Sequence, residues 1–344
     1  MKYKLYSTSL KAWGAMLKAI EEAEKSIYLE MYIFLDDTSA SHDFIGKLIQ
    51  KAKAGARVVI VVDSYGSSKI KKESIKSLRE AGVEFIFFSN WLRHIHRKIL
   101  IVDEKTAFIG GVNIGKSYAQ WNDLQLKVKG KIVKALLKSF AYTYEISGGK
   151  NIKILKFRAK SFSKKFRTWL MEHWPKKNMY ALKEIYIEKI SQAKKSIQIV
   201  SPYFSPPRWL IALLDEAVKR NVSVEIFLPK NTDWPLIDRV NLRYMSNLCP
   251  LGIKFFLLNR MNHAKILLID GEESFIGSPN IDLLSFNILA EAGIFSKQKK
   301  LALELKKIIS LWKKNSAEFK PSKFKMRLVD YIIFILAKII LPLL

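Results

Sequence analysis

The chain has 344 residues, 49% of them hydrophobic and 12% aromatic, enough apolar mass for a sizeable core in about two domains, which excludes disorder as its dominant state. Its 59 Lys and Arg stand against 31 Asp and Glu, a net charge of +28 that calls for a polyanionic partner, nucleic acid or an acidic membrane surface, without choosing between them. The single cysteine, Cys249, excludes an internal disulfide and a cysteine-built zinc site; it reads as a small buried apolar residue in a reducing compartment.

The first twenty residues, MKYKLYSTSLKAWGAMLKAI, hold no uninterrupted apolar stretch and no small-residue cleavage site, so no secretory signal is expected and the body should stay in the cytoplasm. Further along, the chain repeats itself in order. Ala-Glu-Lys-Ser-Ile at 23–27 returns as Ala-Lys-Lys-Ser-Ile at 193–197, and each leads through an apolar run to Tyr-Ile-Phe (32–34) or Pro-Tyr-Phe (202–204). A helix pattern then precedes GARVVIVVD at 55–63 or NVSVEIFLP at 221–229, followed by GVEFIFF at 82–88 or GIKFFLL at 252–258. Alternating helix and buried-type strand predicts an α/β fold in two duplicated halves, each a central sheet flanked by helices. The expected divisions are a first domain over 1–149, a basic aromatic linker over 150–179 opened by the Gly148-Gly149 break, a second domain over 180–296, and a basic tail with a terminal helix over 297–344.

The positive charge is concentrated in two of these stretches. Lys150 to Lys177 and Lys297 to Arg327 supply eighteen of the twenty-eight net charges, interleaved with Phe157, Phe162, Phe166, Trp169, Trp174, Trp312, Phe319 and Phe324. Basic residues beside aromatics suit the headgroup region of an anionic bilayer, and the same mixture could stack on single-stranded nucleic acid. Past them, Met326 to Leu344 is nearly continuous apolar sequence broken by Arg327, Asp330 and Lys338. Its longest clean run, Tyr331 to Ala337, falls short of the roughly 20 residues a spanning helix needs. With Lys323, Arg327, Asp330 and Lys338 on one stripe, it is expected to lie in a membrane interface; packing on the protein's own core is the alternative.

The sharpest repetition is chemical. His96-Arg97-Lys98 runs through Ile-Leu-Ile-Val to Asp103, then to Gly110 and Asn113; His263-Ala264-Lys265 runs through Ile-Leu-Leu-Ile to Asp270, then to Gly277 and Asn280. All five positions are displaced by the same 167 residues. Each motif reads as a hairpin, an apolar strand that turns at the Asp and returns. Residues two apart on a strand share a face, so each His points with its Lys, and the Asn follows the returning strand. An imidazole, an ammonium and an amide in one place suit a tetrahedral anion, with a nucleophile or acid beside fixed donors for phosphate oxygens.

This pattern resembles the phospholipase D superfamily, whose signature is His-x-Lys-x4-Asp-x6-Gly with a following Asn, present twice in two-domain members. Within it the chain is most similar to the bacterial cardiolipin synthases, through YIFLDD near Tyr32, DSYGS from Asp63, Trp121-x-Asp123 with Gly130, PYFSPP from Pro202, IGSPNID, and the terminal Leu341-Pro342-Leu343-Leu344. The resemblance implies two phospholipase D-like domains with mixed sheets, related by a pseudo-twofold axis. The pair of N-terminal membrane spans common in those synthases has no counterpart in this sequence, so attachment is expected through the terminal helix and the basic aromatic stretches. Departures are Leu284-Ser285-Phe286 where relatives often have Arg-Ser-Phe, and Leu289 in place of an Asn two positions before Glu291.

What the resemblance implies for chemistry is a two-step phosphatidyl transfer with no metal or other cofactor. His96 is expected as nucleophile and His263 as acid/base, the reverse staying open because the motifs are nearly equivalent. Each imidazole needs an acceptor for its second nitrogen. Asp123, 27 residues past His96, and Glu291, 28 past His263, are the expected orienting carboxylates. Asp103 and Asp270 complete the catalytic motifs and are expected to anchor the hairpins rather than to move protons. Lys98, Lys265, Asn113 and Asn280 would hold nonbridging oxygens, helped by Ser278 and the backbone at Gly110 and Gly111, with Tyr203 near the site. His94-x-His96 could chelate a metal, but no third ligand accompanies it. The expected partners are phosphatidylglycerol and other anionic phospholipids at the cytoplasmic face of the cell membrane, with nucleic acid disfavoured by the apolar terminus. The alternatives are phospholipid hydrolysis and a phosphodiesterase nuclease of the same superfamily.

Overall fold

A computed structural model describes residues 1–89, 94–158 and 168–321. The chain divides into two units, one formed by Met1–Glu172 with the segment Ala290–Ile294, the other by His173–Leu289 with the residues from Phe295 onward. The expected linker is therefore not a separate piece. Its described parts are a helical turn, Ile152–Leu155, and an edge of regular structure from Thr168 to Lys177, while Phe162 and Phe166 lie outside the described residues.

The first unit holds a seven-stranded mixed sheet of β1 (Lys2–Thr8), β2 (Ser26–Met31), β3 (Arg57–Asp63), β4 (Glu84–Phe88), β5 (Lys98–Val102), β6 (Thr106–Gly110) and β7 (Asn122–Lys129), in the order β1-β7-β6-β5-β2-β3-β4. β2, β3 and β4 run parallel, and the other pairings are antiparallel. Val58 to Val62 of β3 are all buried, as expected of a parallel strand covered on both faces. One cover is the helix Ser9–Glu21, started by the Thr8 side chain, which buries Ala12, Trp13, Met16, Leu17 and Ile20 at helical spacing. Another is Lys131–Ile146, which turns Leu136, Leu137, Phe140 and Tyr144 inward.

Two further strands follow, β8 (Thr168–His173) and later β14 (Glu291–Ser296). The second unit repeats the central pattern with β9 (Ser196–Val200), β10 (Ser223–Pro229), β11 (Lys254–Leu258), β12 (Ile266–Ile269), β13 (Glu273–Gly277) and β15 (Ser316–Glu318). β9, β10 and β11 are parallel, while β12 runs antiparallel to β9 and pairs with β13. The order β13-β12-β9-β10-β11 thus reproduces β6-β5-β2-β3-β4. The chain is two mixed α/β domains of one pattern.

Beyond β14 the expected basic tail is partly core. Lys299–Lys314 is a helix burying Leu301, Ala302, Leu305 and Ile309, and Phe319 is buried behind it. Trp174 is buried as well, and Phe157, Trp169 and Trp312 are half-buried, so the described aromatics of the basic stretches serve packing more than an outer face. The apolar helix expected over 326–344, and Phe324, lie outside the described residues. Among the described residues no helix is long and apolar enough to cross a membrane.

Candidate active site

In both motifs the turn comes first in the physics. Asp103 and Glu104 have φ of 51° and 55°, and Asp270 and Gly271 have φ of 53° and 69°, the left-handed pair that lets a short hairpin follow the twist of its strands. The turn Asp does a second job. Asp103 accepts hydrogen bonds from the backbone N–H groups of Glu24, Lys25 and Ser26, and Asp270 from those of Lys194, Lys195 and Ser196. Partial burial pushes both carboxyls up, but these backbone donors outweigh it and hold each below the ordinary carboxylate value. The two sequence repeats, Ala-x-Lys-Ser-Ile and the His-Lys-Asp motif, are therefore halves of one joint that locks the hairpin to the strand beside it.

In the first unit residues 94–98 are extended. Ile95 bridges Ala290, the His96 N–H donates to the Ala290 carbonyl at 2.9 Å, and the Ala290 N–H donates to the His94 carbonyl at 3.0 Å. Alternation puts His94, His96 and Lys98 on one face and Ile95 and Arg97 on the other. His96 is 6% exposed, and its Nδ1 lies 2.9 and 3.1 Å from the two oxygens of the fully buried Glu291. An imidazole protonated at Nδ1 donates to that carboxylate and leaves the Nε2 lone pair for chemistry. The Tyr32 ring stands edge-on to His96 at 4.8 Å between centroids, and Lys98 Nζ lies 5.0 Å over the same ring while donating to the His96 carbonyl at 2.8 Å. Asn113 is held by its carbonyl, which accepts from the Trp13 indole at 2.9 Å, and its side-chain oxygen is buried without a hydrogen-bond partner.

Behind this face Arg97 is wholly buried, its Nε 3.1 Å from Glu30 and its Nη1 3.7 Å from Glu172. Its Nη2 also donates to the Ser139 hydroxyl, which in turn donates to Glu172. Burial pushes the Glu30 carboxyl up to about 7 against the pull of Arg97. The residue between His96 and Lys98 thus ties β5 to the interior, whereas Ala264 fills that place in the second motif.

In the second unit His263 and Lys265 are 4% and 2% exposed, and Lys265 Nζ donates to the His263 carbonyl at 2.6 Å, the same fold-back as in the first. The Tyr203 ring is edge-on to His263 at 6.4 Å, and its hydroxyl donates to Asp233 at 2.7 Å. Ser278 is buried. The loop that carries Asn280 is held by its own N–H donating to Ser285 Oγ and by the Ile281 N–H donating to Ser201 Oγ. The Asn280 side-chain oxygen, like that of Asn113, is buried without a partner. The two motifs thus bury equivalent amides in equivalent places.

Three expectations need correction. Glu291 holds His96, not His263, because the segment Ala290–Ile294 belongs to the first unit; counting downstream from each motif assigned the carboxylates by chain order instead of by fold. Asp123 therefore does not occupy the Nδ1 position of His96; it is buried on β7, where its carboxylate accepts from the Leu124 N–H at 2.7 Å. Gly111 is no donor to a ligand, since its N–H is spent on the Leu124 carbonyl at 3.0 Å. At Gly110 a Cβ would come within 2.1 Å of that same carbonyl, so the glycine serves the close pairing of β6 with β7.

Sequence reasoning passed over two features. Tyr32 stands in the sequence only as part of a motif, yet its ring lies against both His96 and Lys98. His94, weighed as half of a chelate, instead puts Nδ1 3.1 Å from the buried Asp63, a different carboxylate from the one that holds His96. Asp63 also accepts from the Tyr65, Gly66 and Ile95 N–H groups, so DSYGS builds a socket for residue 94. Among the described residues no three His, Cys, Asp or Glu side chains group as metal ligands.

A family model described as "Cardiolipin synthase, PLD-like domain" matches residues 16–143 and, a second time, 186–312. The cardiolipin synthase of Alkalihalophilus pseudofirmus is 31% identical over 317 residues, 85% of this chain and 62% of that one. The cardiolipin synthase of Clostridium perfringens strain SM101 is 32% identical over 315 residues, 85% of this chain and 66% of that one. The chain thus spans a little under two thirds of the length of these relatives. The crystal structure of a phosphatidylserine synthase from Haemophilus influenzae matches with a TM-score of 0.78 over 99% of this chain and 94% of that one, at 14% identity, a likeness of fold.

Proposed function

This chain belongs to the family described as cardiolipin synthase, PLD-like domain, and on that premise we propose that it is a phosphatidyltransferase that makes cardiolipin and glycerol from two molecules of phosphatidylglycerol. The observation that carries the mechanism is the contact of His96 Nδ1 with the buried Glu291, which supports a reading with Nε2 as the nucleophile. His96 Nε2 attacks phosphorus, the bond from phosphorus to the glycerol oxygen breaks, and His263 gives that oxygen its proton. His263 then takes the proton of a hydroxyl on a second phosphatidylglycerol, that oxygen attacks the phosphohistidine, and the phosphorus–nitrogen bond breaks. Protons and bonds balance over the two steps without a metal or redox cofactor.

Lys98, Lys265, Asn113, Asn280 and Ser278 hold the nonbridging oxygens in this reading, the lysines as charges and the amides as directional donors. For each Asn that use requires the amide nitrogen to face the ligand, an orientation set by hydrogen bonding rather than by shape. Tyr203 shapes the surroundings of His263 in this reading. In this reading the enzyme works at the cytoplasmic face of the cell membrane, bound to anionic phospholipid.

The test is direct. Purified protein with phosphatidylglycerol vesicles and no added metal should form cardiolipin and release glycerol, and His96→Ala or His263→Ala should abolish both products. Cleavage of DNA or RNA with no phospholipid product would overturn the assignment. Phosphatidic acid in place of cardiolipin would make the protein a hydrolase of the same superfamily.

A further inference from the structure

The helix Lys299–Lys314 has two faces with opposite tasks. Leu301, Ala302, Leu305 and Ile309 are buried against β11, β12, β13 and β15 of the second unit. Turning 100° per residue, Lys300, Leu303, Lys307, Leu311 and Lys314 fall within a sector of about 80° on the opposite side. All five are exposed, Leu303 at 54% and Leu311 at 61%, among the most exposed large apolar residues of the described chain. Lys299 and Lys306 flank the stripe and are exposed too, while Glu304 is half-buried. Lys313 is turned inward, donating to Glu225 at 2.6 Å, so the outward lysines are not simply all the lysines of the helix.

We propose that this stripe is the surface by which the second unit docks on an anionic phospholipid bilayer, the helix lying along the membrane with Leu303 and Leu311 in the acyl boundary and Lys300, Lys307 and Lys314 on headgroup phosphates. The spacing fits an interfacial helix, apolar side chains between cations whose long stems reach outward past them. Charge complementarity selects this occupant. A second copy of the chain would bring a like-charged stripe against this one. Nucleic acid would match the lysines but would gain nothing from two leucines pressed on phosphates. The proposal extends the lipid-transfer reading, since a lipid substrate is met at a bilayer, but it rests on the helix itself.

The experiment uses the full chain, flotation with phosphatidylglycerol–phosphatidylcholine vesicles, and two variants altered only at exposed positions. Leu303→Ser with Leu311→Ser should weaken vesicle partition about tenfold or more. Lys300→Gln with Lys307→Gln and Lys314→Gln should weaken it on the order of a hundredfold at low salt. Both variants should keep the wild-type melting temperature and the wild-type rate on detergent-dispersed phosphatidylglycerol. Unchanged partition in both variants would overturn the proposal. So would a shift in oligomeric state without lipid as the sole effect of the leucine changes, or equal loss of duplex DNA binding in both variants with vesicle binding intact. A protein that makes no cardiolipin but whose vesicle binding falls in both variants would sink the transferase reading and leave this surface standing.

Discussion

An imidazole can present only one nitrogen to phosphorus, and which one is decided by what holds the other. For His96 that is Glu291, fully buried and within 2.9 Å of Nδ1. The motif residues were legible in the sequence because their spacing is local: a strand, a turn and a return fix His96, Lys98, Asp103 and Asn113 within eighteen positions. The partner was misassigned because it comes from almost two hundred residues away. Gln at 291 keeps an acceptor but loses the charge that stabilises an imidazolium and enforces the tautomer. Glu291→Gln should therefore lower kcat by about 10²- to 10⁴-fold with little change in KM, while the melting temperature falls by only a few degrees. Steady-state cardiolipin formation measures this, and a loss smaller than about tenfold would mean that Glu291 is a packing residue.

At the scale of the element the unit of construction is the hairpin joint. Hairpins were predicted from the apolar runs and turn residues, and they are there as β5–β6 and β12–β13. Their connection to the loops before β2 and β9 was not legible, since a carboxylate that collects three backbone donors leaves no periodic trace in sequence. The pKa direction makes the joint testable. Both carboxyls sit below their ordinary value in the folded protein. Their contribution is therefore complete above the unfolded-chain carboxylate range and is lost as pH falls through the lower folded value. Asp103→Asn and Asp270→Asn should each lower the melting temperature at neutral pH. The deficit should shrink as wild type and variant are compared at progressively lower pH, where the wild-type carboxylate becomes protonated. A deficit independent of pH in thermal melts would show that the charge is not what stabilises the turn.

Over the whole molecule, the duplication and the mixed sheets follow from repeats that can be read directly, while the location of the positive charge does not. A composition window sees lysines beside Trp174 and Phe319 and reads a docking face; the fold turns those rings inward and leaves leucines between lysines outside. Helical spacing carried that information, with Leu301, Leu305 and Ile309 on one side and Leu303 and Leu311 on the other, but only once the stretch is taken as a helix on a core rather than a tail. The domain boundary failed for a related reason. A cut near residue 150 or 180 follows the repeats, yet the first unit is completed by Ala290–Ile294, whose backbone pairs with His94 and His96 and whose Glu291 holds the imidazole. Residues 1–172 alone should then be an incomplete domain. Two backbone hydrogen bonds and a buried charge-assisted one are worth a few kcal/mol together, and about 2–4 °C of melting temperature accompanies each kcal/mol in a domain of this size. Fusing residues 288–296 to 1–172 through a flexible glycine–serine linker should raise the melting temperature by several degrees over 1–172. Nitrogen NMR of the fusion should find His96 protonated at Nδ1, a signature lost again in the Glu291→Ala fusion. Equal melting of fragment and fusion, with no change in the His96 tautomer, would mean that the first unit ends with its own contiguous chain.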